Sequence, residues 1–270
     1  MGVRRDDSGR NVVNQKNQRK KRNSRRRLHL IDGIRGLTLI SMILYHAAWD
    51  AVYLLDYPWR WYRSSGAFLW QQSICWTFIL LSGFCIPMSR KPVRRGILIF
   101  AMGALITGVT MVFVPDEMVV FGVLTLIGTC MILLGIFEPL LERLPAWEML
   151  PLSFLFFLLT RSINSGYLGI GPLKLLQLPA SLYSGWVSAY LGFPPAGFRS
   201  TDYFSVIPWI FLYHCGYFLC RTFKQARLFR NRIFKIKIPV ADWLGRHSLA
   251  VYLLHQPILY LIVLAIQQWG

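Results

Sequence analysis

Charge is scarce in this sequence. Only 16% of its 270 residues are Asp, Glu, Lys or Arg, and just 12 of those are acidic. A soluble domain carries roughly a quarter of its residues charged, so there is too little solvated surface here for a soluble globule. Cysteine is scarce too. Cys75, Cys85, Cys130, Cys215 and Cys220 form no CxxC pair, and no Cys/His spacing fits a zinc site. No metal is therefore predicted, and the five cysteines, all inside or at the ends of apolar runs, suit buried small hydrophobes. No inverted repeat of the kind common in transporters is present. What the chain does have is apolar mass, 54% of its residues, with a mean hydropathy of +0.42.

The apolar residues come in long runs. Crossing a bilayer takes about 20 of them in succession. Seven segments come close: 30–50, 67–88, 96–115, 119–138, 147–163, 202–221 and 247–267. The expectation is an all-α polytopic transmembrane helix bundle of about seven spans. Residues 164–201 are rich in Gly, Pro, Ser and aromatics, and 175–193 reads as a re-entrant or interfacial piece or an eighth span. A signal peptide over 16–50 is disfavoured, because the apolar run is long and no convincing A-x-A cleavage site ends it.

The net charge of +18 sits in blocks between the spans. The tail, residues 1–29, is polybasic and without apolar periodicity, so it is expected to be disordered and cytoplasmic. With that orientation, 24 of the 30 Lys and Arg fall on the tail, 89–96, 139–146 and 221–247, and five on outer segments. This asymmetry is the positive-inside pattern. It places the N-terminus in the cytoplasm and the C-terminus on the outer side of a cell membrane, and it argues against an eighth crossing. The expected partners are the bilayer and its anionic inner-leaflet lipids rather than nucleic acid. A homodimer is left open.

Polar groups inside spans are costly and so carry the functional information. On the first span Arg35 and His46 lie eleven residues apart, within about 20° on one helical face. Asp32 and Asp50 extend that stripe at its two ends. His46, with Asp50 one turn away to orient it, suits a general base; Arg35 suits phosphate binding or plain anchoring. On the last span Gly245, Ser248, Tyr252 and His255 share a face, and Gln256 follows. Arg246 and His247 open that helix, and Arg246 beside its N-terminal amides suits a phosphate. Asp202, Ser205, Trp209 and Tyr213 share a face of the sixth span. The plain alternative for all of these is a set of polar helix–helix seams.

Five stretches together resemble one family: IDGIRGL at 31–37 running on to LYHAAWD at 44–50, FILLSG at 78–83, FGVLTLIG at 121–128, DYFSVIPW at 202–209 and LGRHSLAVYLLHQP at 244–257. In this order they resemble the heparan-alpha-glucosaminide N-acetyltransferase catalytic-domain family, which makes 30–270 a transmembrane acyltransferase-like domain. The resemblance implies transfer of an acyl group, acetyl foremost, from cytoplasmic acyl-CoA to a sugar or other cell-envelope acceptor, glycan or lipid-linked. On that reading His46, Asp50 and His255 are catalytic. Arg35, Asp202, Trp209, Ser248, Tyr252 and Gln256 would bind the acceptor, and Arg94, Arg95, Arg246 and His247 the acetyl-CoA. In lysosomal members the histidine credited with catalysis lies in the loop after the first span. Residues 51–66 hold no histidine here, so His46 stands in for it, and Thr125 occupies a position that is His in many relatives. The rival from another class is a small transporter or flippase using the His/Asp stripe as a proton relay.

Overall fold

A computed structural model describes residues 28–269. The disordered tail expected over 1–29 lies outside the described residues apart from its last two, and His29 already belongs to a helix. The chain forms α1 (His29–Tyr53), α2 (Ser65–Cys85), α3 (Pro92–Phe113), α4 (Val123–Leu141) and α5 (Ala146–Thr160). A two-stranded hairpin follows, β1 (Tyr167–Ile170) and β2 (Leu173–Gln177), then a short α6 (Gly185–Leu191). The chain continues with α7 (Val206–Gln225), α8 (Pro239–Arg246) and α9 (Ser248–Trp269).

Local chemistry sets the helix ends. Pro92 and Pro239 open α3 and α8, where a missing N–H costs nothing. Asp56, left-handed at φ 54°, and Pro58 stop the chain from continuing α1. Arg221 closes α4 from a distance: its guanidinium donates to the carbonyls of Leu141 at 2.6 Å, Glu142 at 2.7 Å and Leu144 at 3.0 Å. A helix C-terminus leaves such carbonyls without partners.

Among the described residues six helices are long and apolar enough to cross a membrane, those beginning at His29, Ser65, Pro92, Val123, Ala146 and Ser248. The expected sixth span, now α7, has 20 residues but falls outside this set. It carries Tyr213, His214, Tyr217, Arg221 and Lys224, and its surroundings explain why. α7 packs against α2, α4 and α5, and Tyr213, Tyr217 and Phe218 are wholly enclosed. It runs alongside α4, with Asp202 bonded to Val123 at one end and Arg221 to Leu141 at the other. α1 and α9 share a direction: Gln256 meets Asp50, and further along Gln267 meets Leu54. Five long helices, α7 together with α2 to α5, lie between them in the chain. Residues 164–201 form the hairpin and the seven-residue α6, too short to cross.

Close helix contact depends on absent side chains. A Cβ on Gly83 of α2 would lie 2.1 Å from the Tyr213 carbonyl oxygen of α7, and one on Gly216 of α7 would lie 2.1 Å from that of Leu80. The two backbones therefore touch. Gly83→Leu must push them apart, and it is expected to lower stability by about 1–3 kcal/mol, read as a fall in the thermal midpoint of the purified protein. α8 clasps α1 in the same way, through Gly36 and Gly245. The main apolar core lies among α2, α4, α5 and α7, around Phe157, Leu126, Leu134 and Leu212.

Candidate functional site

The last three turns of α1 carry His46 and Asp50 to the end of the bundle where α2, α4 and α7 begin. α9 supplies the facing side chains. The His46 and His255 rings lie edge to face with centroids 4.9 Å apart. His255 is buried, and its Nδ1–H donates to the Tyr252 carbonyl at 2.5 Å. A carbonyl only accepts, so a proton sits on Nδ1, and the neutral form of the ring has its lone pair at Nε2. That Nε2 is buried and unpartnered.

Asp50 is 2% exposed and accepts a hydrogen bond from Gln256 Nε2 at 3.0 Å. The expectation that it orients His46 is therefore corrected: Gln256 is its partner. Seven buried side-chain polar atoms lack a partner among the described residues, and three of them are Asp50 Oδ2, Gln256 Oε1 and His255 Nε2. Buried polar atoms are almost always paired. These three unpartnered atoms thus fall on adjoining side chains at one end of the bundle.

Asp202 lies in the loop before α7 and holds the start of α4, accepting from Val123 N–H at 3.1 Å and, weakly, from the Tyr252 hydroxyl at 3.5 Å. Burial pushes its carboxyl above the usual range, against these two hydrogen bonds. Trp209 is buried behind it. A group that the sequence reading counts only as an outer charge completes the wall: Arg161, at the end of α5. Its guanidinium lies 4.7 Å from the Trp209 ring, 5.6 Å from Phe157 and 5.8 Å from Trp76. It donates to Gln72, whose Oε1 also accepts from Trp76 Nε1 at 3.2 Å. The signal available in the sequence is an arginine at a span end with no acid within a turn of it.

The remaining predicted residues lie elsewhere. Arg35 faces α2, donating to Cys85 Sγ at 2.9 Å with Asp32 at 3.7 Å, so the stripe on α1 divides into two separate contacts. The single face drawn through Gly245 and Ser248 is also corrected. The helix breaks at His247, which leaves Gly245 on α8 and Ser248, half-exposed, as the first residue of α9. Arg246 and His247 are exposed at this elbow, bonded to the Asp242 and Trp243 carbonyls at 3.0 and 2.9 Å. Arg94 and Arg95 are exposed in the first turn of α3.

A multi-span membrane protein with a buried polar cluster of two histidines and two carboxyls, and an arginine held among aromatic rings nearby, is the class these features define. A family model described as "Heparan-alpha-glucosaminide N-acetyltransferase, catalytic" matches residues 27–257. The chain belongs to that family. The matched region contains all of these residues, and membership implies a membrane acyltransferase. No curated protein and no solved structure matches the chain.

Proposed function

We propose that the chain moves an acetyl group from acetyl-CoA on the cytoplasmic side to a sugar or other envelope acceptor bound in a chamber at this cluster, with His255 as the base and His46 beside it. The observation that carries this is the buried, unpartnered His255 Nε2 between His46 and the Asp50–Gln256 pair. The acceptor's hydroxyl or amine loses its proton to that nitrogen as its oxygen or nitrogen bonds the acetyl carbon. The carbon–sulfur bond breaks, and the proton passes to the departing CoA sulfur. Asp50 and Gln256 offer hydrogen bonds that hold the acceptor in line.

The donor suits the opposite end. Arg94, Arg95 and Arg246 are exposed cations without a carboxylate partner among the described residues, as phosphate binding requires. A cavity of about 590 Å³ lies between α1, α2 and α7, lined by Ile34, Leu80, Phe84, Phe223 and Phe234 and reaching Trp76. It runs from the side of the basic loop 227–237 as far as Trp76, whose indole N–H bonds Gln72 one turn nearer the acceptor end. The positive-inside charge pattern supports the N-terminus and this basic loop in the cytoplasm.

Release of CoA thiol from acetyl-CoA by the purified protein, with and without added acceptor amines and sugars, tests the reading. Turnover is expected; a protein that neither binds nor consumes the thioester would end it. The rival proton relay needs a continuous polar stripe along α1, and Arg35 and Asp50 instead face different helices.

A further inference from the structure

We propose that Arg161 is an anion subsite of the chamber, taking a carboxylate or phosphate carried on a sugar ring. Naming that ligand the acceptor rests on the transfer reading above; the subsite itself stands on the surroundings of Arg161. An arginine near a helix end can reach out to the membrane surface, but one drawn in among helices, as the half-buried Arg161 is, calls for compensation. Among the described residues the ion pairs are His29–Asp242 and Arg35–Asp32, and Arg161 belongs to neither. Its five N–H donors meet one acceptor among those residues, the neutral Gln72. The carboxylate across the chamber, Asp202, is already committed to Val123 N–H and Tyr252.

The rings around the guanidinium add to this. Trp209, Phe157 and Trp76 hold it within 4.7–5.8 Å of their centroids, which stabilises the cation while leaving its edge free for a planar oxyanion. On the other side, Tyr252 bonds Asp202 at 3.5 Å and its ring lies 5.4 Å from that of His255.

A purely structural role is the competing account, since a cation at the end of α5 also complements the helix dipole. Thermal unfolding of the full chain in detergent, with glucuronate, glucose 6-phosphate and glucose at matched ionic strength, separates the two. One or both anions are expected to raise the thermal midpoint while glucose does not. A response to glucuronate alone assigns a carboxylate, and one to glucose 6-phosphate alone a phosphate.

Arg161→Met is expected to raise the half-saturating anion concentration about tenfold or more. Gln72→Glu keeps the guanidinium in place but supplies an internal carboxylate. It is expected to abolish the anion response with no loss of stability, so a poorly folding Arg161→Met leaves the test intact. Equal shifts with glucose, no shift with either anion, or wild-type anion response in Gln72→Glu overturns the subsite. Thioester turnover without an anion response sinks only the subsite; an anion response without turnover sinks only the transfer reading.

Discussion

His255→Ala is expected to cut acetyl transfer about a thousandfold, in the range lost when a positioned general base is removed. The measurement is the rate of CoA release at saturating acetyl-CoA, with binding of the thioester measured separately. Binding should survive, because the donor's proposed phosphate contacts lie at the other end of the bundle. His46→Ala should lose less. Its ring touches His255 edge to face and makes no hydrogen bond among the described residues, so on the proposed reading it shapes the surroundings of the base. If the two variants fall in the reverse order, the roles are exchanged. If neither loses activity, neither ring handles the proton.

The second large effect is on stability. Gln256→Leu leaves Asp50, almost fully enclosed, without its one hydrogen-bond donor. Stranding a buried carboxyl in this way is expected to cost about 3 kcal/mol. Removing both partners together, Asp50→Leu with Gln256→Leu, should cost less than the single change, because no polar group is then left behind. Thermal midpoints of the two single variants and the double variant give the coupling directly. Additive losses would mean that the pair does not interact.

Residue order alone carries much of this. Apolar runs locate the helices that face lipid, since lipid-facing positions must be apolar. α7 is recognisable by length, yet its content of Tyr213, Tyr217 and Arg221 makes sense only from its packing: an enclosed helix can exchange apolar surface for hydrogen bonds to neighbours. Helical spacing on α1 and α9 singles out His46, Asp50, Tyr252, His255 and Gln256, and the fold brings them together. Which of them pair is hidden. A spacing of four on one helix suggests that Asp50 holds His46, but the partner comes from 206 residues away. Arg161 is hidden for the same reason, because its setting is made by rings from α2 and α7. The break at His247 follows from the clasp of α8 on α1 through Gly36 and Gly245, a tertiary contact that overrides helical continuity.

That clasp has a consequence for how the chamber wall is secured. α8 is fastened backbone to backbone, whereas α9 buries only His255 and Val263 and is tied at its far end by the Gln267 bond to the Leu54 carbonyl at 2.9 Å. Lipid tails are as apolar as the side chains they would replace, so the bilayer does not press α9 inward. The helix bearing His255 is thus a strut jointed at His247 and lightly pinned along its length. Its backbone amides are expected to exchange with solvent hydrogen sooner than those of α7, which is enclosed by its neighbouring helices.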